Sequence, residues 1–208
     1  MGTILYYLMT FAEAGLGVVG FRGLYEQPAY TIVERLPGGV EVRDYAAVVA
    51  AETDDPGDGS AAFQRLFRYI TGANTTGEKI AMTAPVAQRG ALIPMTVPVQ
   101  SSKTGGVMRF FLPADVVKKG PPQPLDPQVR IVSIPTRRTA ALRFTGLPDR
   151  DDIAQHDRLL LAALQKAGIP ADGKPFLLTY DAPFTLPFLR RNEVAVDLNP
   201  PPPPAPAG

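Results

Sequence analysis

The sequence predicts an α+β fold. Two pseudo-repeated units, each reading strand, helix, strand, strand, pair into a curved sheet or distorted antiparallel β-barrel with one flanking helix per unit. Three observations predict it. Two-residue alternation, then a 3.6-residue stripe, then alternation again, runs through the chain twice. Each helical stripe is followed by a strand ending in Ala-Pro and an apolar residue, Ala84-Pro85-Val86 and Ala182-Pro183-Phe184, a sign of internal duplication. Apolar residues make up 45% of the 208, enough for one core, so the chain is most simply one domain with tails.

Residues 40–51 alternate, with Val40, Val42, Ala46 and Val48 on one face and Asp44 in phase with them. The run Asp-Asp-Pro-Gly-Asp-Gly at 54–59 is a turn. Ser60 suits an N-cap, and Phe63, Leu66, Phe67 and Ile70 follow at helical spacing until Gly72 stops the helix. Strands are expected over 79–86, 92–99 and 107–112. The second unit has strands at 128–134 and 139–144. Its helix opens at Asp151 or Asp152 and closes at Gly168, with Ile153, Leu160, Leu164 and Ala167 on one stripe. Strands at 176–180 and 193–198 complete it.

The ends differ from the middle. Residues 4–21 are largely apolar, interrupted by Glu13 and preceded by no Lys or Arg. A secretory signal wants a basic start, and a spanning helix wants an unbroken apolar run. The expectations for residues 1–24 are a helix docked on the domain or a partner, or a segment that touches a membrane surface. Localisation is then cytoplasmic, or membrane-associated through this segment. The domain occupies 25–199, and the proline-rich tail 200–208 has nothing to pack with.

Composition excludes much chemistry. Lys and Arg (21) nearly balance Asp and Glu (20), and the net charge is +1. There is no basic footprint for nucleic acid. Without cysteine there are no disulfides, thiolate metal sites or Cys nucleophiles. One histidine, His156, excludes a site built of several imidazoles in one chain. It lies near the apolar stripe of the second helix, where an ordinary helix-edge histidine and an axial iron ligand are the two readings. The stretch Gly72–Lys79 nearly spells a phosphate loop. However, Glu78 replaces the lysine and the context is helix-to-strand. Asn74-Thr75-Thr76 fits a glycosylation sequon, and Asp54, Asp55 and Asp58 lack calcium-loop spacing because Pro56 and Arg65 take ligand positions.

Met-Thr-x-Pro-Val occurs at 82–86 and again at 95–99. Pro94 and Pro98 remove donors from one side of the second copy, which makes it an edge or rim. Met82, Met95 and Met108 are in phase with apolar neighbours. Polarizable thioethers suit the wall of an apolar pocket for a flat ligand, although core methionines give the same pattern.

Several ordered stretches resemble the SOUL haem-binding protein family. They are "VEVRDY" (40–45), "FQRLFRYITGAN" (63–74), "EKIAMTAPV" (78–86), "MRFFLPA" (108–114), "PQPLDPQV" (122–129) and "YDAPFTLPFLRRNEV" (180–194). The resemblance covers about 25–198, and the doubled Met-Thr-x-Pro-Val is similar to bacterial members. It implies a twisted β-barrel with two flanking helices that binds haem and other tetrapyrroles non-covalently, without established catalysis. In one binding mode of the family a histidine just before the tyrosine of the first strand ligates iron. Asp44 stands there, so that mode does not carry over. The other mode, an apolar pocket with basic side chains near the propionates, draws on Met82, Met95 and Met108 and on Arg65, Arg68, Arg137, Arg138 and Arg143. An alternative occupant is another apolar small molecule. The family's barrel also resembles that of gyrase-inhibitor-like proteins, some of them hydrolases with a pocket glutamate. That makes Glu193 with Tyr180 an alternative acid/base pair. Arg190, Arg191 and Glu193 otherwise read as an ion-pair lock at the last strand.

Overall fold

In the computed structural model, the described residues are 26–55, 59–89, 106–181 and 185–198. Nine strands form one antiparallel sheet in the order β1-β2-β7-β9-β8-β4-β5-β3-β6. The first unit holds β2 (Val40–Tyr45), β3 (Val48–Asp55), helix α1 (Ser60–Ile70), β4 (Val86–Arg89) and β5 (Gly106–Phe111). The second holds β6 (Val129–Ile134), β7 (Arg137–Phe144), helix α3 (Arg150–Ala167), β8 (Ala171–Thr179) and β9 (Asn192–Leu198). Strand β1 (Tyr30–Leu36) and the short helix α2 (Ala114–Lys119) stand outside this pairing. Without β1, exchanging β2 with β6, β3 with β7, β4 with β8 and β5 with β9 reverses the sheet order onto itself. The expected duplication is present; the strand expected over 79–86 is corrected to Val86–Arg89, and the one expected over 92–99 lies outside the described residues. The run 40–51 is two strands, broken at Ala46-Ala47.

The expected barrel is corrected to a curled open sheet: among the described residues, the outer strands β1 and β6 do not pair with each other. The curl itself is forced by chain length. Strands β2 and β3 lie six places apart in the sheet, about 29 Å if it were flat. Only Ala46 and Ala47 join them, which limits the gap to about 11 Å. Pro135 and Thr136 impose the same constraint on β6 and β7. The two short connections therefore bring the far ends of the sheet together.

Alternation assigns the faces. Ala140, Leu142, Val194 and Val196 pack under Ile153, Leu160 and Leu164 of α3. Met108, Phe110 and Ala51 pack under Leu66 and Ile70 of α1. The concave face carries small side chains, including Ala50, Ala87, Ala141 and Ala195, against Phe111, Phe176 and Tyr180. The alanines let the curled walls approach.

Helix α1 starts at Gly59, whose φ of 69° is a left-handed conformation, and no side chain caps it. The expected Ser60 cap sits one residue inside. Asp149 caps α3 by accepting a bond from the Asp152 N–H. Asn74, the sequon residue, is buried. Its amide donates to the Tyr69 and Glu78 carbonyls while its Oδ1 accepts from Thr76, so it organises the turn after α1.

Asp157 lies on the buried stripe of α3, and its Oδ1 is buried without a hydrogen-bond partner. Burial pushes its carboxyl pKa up, only partly offset by His156. The folded state therefore holds this proton more tightly than the unfolded chain, and stability falls as pH rises through the raised pKa. Asp157→Ala is expected to gain about 1 kcal/mol at neutral pH and less at acidic pH, as read by urea denaturation.

No helix among the described residues is long and apolar enough to cross a membrane. Residues 4–21, the tail 200–208 and Met95 lie outside the described residues.

Candidate ligand-binding site

Two cavities open where the short connections cross, and they share a wall made by Ala46, Ser133, Ile134 and Pro135. The first, about 660 Å³, is mainly apolar. Its walls are Ala47, Val48 and Val49 at the start of β3, Phe111 and Leu112 at the end of β5, and Val117 on α2. The curl places these residues: the β2–β3 connection crosses the end of β6, and α2 packs where β5 stops. Among the described residues, Glu26 and Lys118 are its only charged lining residues. The second, about 760 Å³, is lined by Arg109, Arg137 and Arg138 and by Asp44, Asp172 and Asp197. Both sizes fall within the range of small-molecule pockets.

Four of the six charged residues of the second cavity are fixed in two pairs, while Arg109 is held by Glu52 outside it. Arg138 donates to both Asp44 oxygens, Nε at 2.7 Å and Nη2 at 2.8 Å. That bonding holds the Asp44 carboxyl below its usual range. Arg137 Nε lies 3.4 Å from Asp197 Oδ1, and its guanidinium stands 5.5 Å from the Tyr45 ring centre. The arginines are thus oriented donors rather than a net positive trap, because three carboxylates balance them.

Below this cavity, on the same concave face, lies a buried ionic cluster. Glu193 is fully buried on β9 and its carboxylate accepts five hydrogen bonds. Arg43 supplies two at 2.7 and 3.1 Å, Arg191 two at 2.6 and 3.0 Å, and the Tyr180 hydroxyl one at 2.8 Å. Arg43 also donates to the Tyr45 hydroxyl, at 3.1 Å. Burial alone would raise the Glu193 pKa, but the bonds and charges of Arg43 and Arg191 outweigh it and hold the carboxyl below its usual value. Burial and the neighbouring Glu193 push the Tyr180 hydroxyl well above its usual pKa. An acid/base pair needs a poised proton and access. Here the carboxylate is saturated by donors, and neither residue lines a cavity. The out-of-phase position of Glu193 against Val194, Val196 and Leu198 follows from its concave-face placement.

Of the residues expected at a site, Asp44, Arg137 and Arg138 come together at the second cavity. The others do not join them. Met108 is buried under α1 and Met82 packs against the same cluster, and neither lines a cavity. Their phase marked a core face. Arg65 bonds Thr53 and pairs with Asp126, Arg68 is exposed on α1, and Arg143 is exposed on β7. His156 stacks on Phe144 at 4.2 Å, its Nδ1 lies 2.7 Å from the Asp152 carbonyl, and it lines neither cavity. Among the described residues no group of three or more His, Asp or Glu could hold a metal. The residues that sequence reasoning missed are the apolar cavity's own: Ala47, Val48, Phe111, Val117 and Ile134. No sequence signal pointed to them, because alternation runs on through Ala46-Ala47, where the structure breaks the strand.

The sequence model of the SOUL heme-binding protein family matches residues 25–197. No curated protein matches the chain. Among solved structures, the EcmrR C-terminal domain aligns with a TM-score of 0.51 at 10% identity, covering 82% of this chain and 98% of that one. A hydrolase from Listeria innocua aligns with a TM-score of 0.50 at 13% identity, covering 86% and 95%. EcmrR in its DNA complex aligns with a TM-score of 0.53 at 11% identity, covering 95% and 64%. At such identities the likeness is one of fold.

Proposed function

The chain belongs to the SOUL heme-binding protein family, and we propose that its paired cavities bind a tetrapyrrole without catalysis, as a carrier, buffer or sensor. The observation that carries the reading is the junction itself: an apolar cavity shares a wall with one that presents fixed guanidinium groups. A porphyrin has the same division, a flat apolar ring and two carboxylates at one edge. Val48, Phe111, Val117 and Ile134 would hold the ring, since each Å² of apolar surface removed from water contributes about 25 cal/mol. Arg137 and Arg138 would meet the carboxylates.

The described residues fit the ring and not the iron. Among the described residues no histidine or methionine lines either cavity, and the chain has no cysteine. Tyr45 does line the second, but burial pushes its hydroxyl pKa up and keeps it protonated, against the counter-pull of Arg43. The group would therefore bind through apolar contact and its carboxylates, and the protein would supply no strong axial ligand.

Titration with ferric haem and with metal-free protoporphyrin is expected to give affinities within about threefold of each other, since one pK-sized difference of 1.4 kcal/mol already makes tenfold. A preference of a hundredfold for the iron form would defeat the apolar mode. Arg137→Gln and Arg138→Gln are expected to weaken protoporphyrin about tenfold each and to leave its dimethyl ester unchanged. The same apolar lining favours a second reading, a different apolar guest. Weak, unsaturable binding of both porphyrins alongside tight binding of an uncharged apolar dye would select it.

A further inference from the structure

Strand β5 runs from one cavity to the other. Phe111 lines the apolar cavity and Arg109 the charged one. Two positions apart in one strand, their side chains leave the same face about 7 Å apart. A guest that rests its apolar body on Phe111 therefore brings its edge to Arg109.

Arg109 is held differently from the other two arginines of the charged cavity. Arg137 and Arg138 pair with Asp197 and Asp44, which line the same cavity. An anion approaching either one meets a carboxylate beside the guanidinium, and like charges repel. Arg109 pairs with Glu52, its cross-strand neighbour on β3, which lines neither cavity. Its Nε and Nη2 both reach Glu52 Oε2, at 2.6 and 2.5 Å, while Arg130 Nη2 takes Oε1 at 2.9 Å. Two guanidinium groups thus share this one carboxylate. Burial would raise the Glu52 pKa, but the bonds from Arg130 and Arg109 outweigh it and hold the carboxyl below its usual value. Nη1 of Arg109 keeps no partner among the described residues.

The fold does not demand this ion pair. Strands β3 and β7 repeat one order of buried and exposed positions. At the place of Glu52 opposite Arg109, the second unit has Ala141 opposite Ala195, both buried. Two alanines suffice there. A pair of charges that is costly to desolvate stands only in the unit whose β5 also reaches the apolar cavity.

We propose that Arg109 is the principal anchor for an anionic group carried on an apolar guest, and that Glu52 is the residue that positions it. The anchor rests on the paired-cavity reading for its site, and on the tetrapyrrole only as one guest of this class.

Arg109→Gln is expected to weaken protoporphyrin about thirtyfold, more than either Arg137→Gln or Arg138→Gln, and to leave its dimethyl ester unchanged. Glu52→Ala with Arg109→Ala reproduces the alanine pair of the second unit, so it is expected to fold and to show the same loss. Glu52→Gln keeps the guanidinium but loosens its hold. It is expected to narrow the ratio of acid to ester affinity about threefold with ester affinity unchanged. The same variants are titrated with two naphthalene dyes, the anionic anilinonaphthalene sulfonate and the uncharged phenylnaphthylamine. Equal loss of acid and ester in both Arg109 variants would make the pair a structural lock and overturn the anchor. So would unchanged protoporphyrin affinity in Arg109→Gln while Arg137→Gln and Arg138→Gln weaken it, a result that leaves the tetrapyrrole reading standing. A chain that binds no porphyrin, yet loses the sulfonate dye and keeps the uncharged one in both Arg109 variants, keeps the anchor and removes the proposed ligand.

Discussion

Replacing Glu193 with alanine is expected to lower folding stability by about 3–5 kcal/mol, the cost of removing one partner from a buried ion pair. The loss is large because both Arg43 and Arg191 bond this fully buried carboxylate, and without it the one carboxylate left to Arg43 is the half-buried Glu41, 2.9 Å from its Nε. Arg43 is 3% exposed and has nowhere to turn for water. Glu193→Gln keeps an acceptor oxygen without the charge and is expected to lose less. The double variant Arg43→Met with Glu193→Leu should lie closer to wild type than Glu193→Ala, because the most buried guanidinium leaves together with its carboxylate; Arg191 still loses its bonds to Glu193, so part of the loss remains. The network also sets acid stability. The folded carboxyl is held below its usual pKa, so the folded chain binds this proton less tightly than the unfolded one. Its contribution is fully present above the unfolded carboxyl's pKa, about 4.3, and fades as pH falls through the lower folded value. Urea midpoints measured from neutral to acidic pH should fall more steeply for wild type than for Glu193→Gln. Parallel curves, or a loss below about 1 kcal/mol for Glu193→Ala, would mean that the cluster is solvated in solution.

The periodic elements were legible because burial wrote them. Helix α3 shows its stripe, and the duplicated order of strands and helices survives in the palindromic sheet. Strand β1 was not legible, since five of its seven residues are exposed and both faces read alike. The break at Ala46-Ala47 was hidden for the opposite reason: alternation continues across it, and only the change of pairing partner from β7 to β5 and β6 shows two strands. Asp44 was placed correctly in phase with Val42, and its partner Arg138 was named for another role. The ion cluster could not be read from spacing. Arg43 and Glu193 are 150 residues apart, and a lone arginine in an alternating strand looks solvated. Of the methionines, Met82 and Met108 pack with Phe110 under α1, because a thioether under a helix has the same phase as one beside a cavity.

Ala47→Trp is expected to reduce porphyrin affinity about a hundredfold, near 2.7 kcal/mol, with little change in stability. Ala47 is exposed and lines only the apolar cavity, in a connection outside the strands. An indole there removes volume from the cavity without disturbing a ladder hydrogen bond. Ser133→Trp approaches from the shared wall and should have a similar effect. Leu159→Trp, on the exposed face of α3, should have none. The comparison separates place from chemistry. If both cavity variants bind porphyrin as wild type does, the ring sits elsewhere on the curled sheet. If ferric haem and protoporphyrin lose affinity in equal measure, water exclusion by the apolar walls carries the binding. Should Ala47→Trp weaken protoporphyrin and spare ferric haem, a metal contact outside the cavity would have to replace the lost burial.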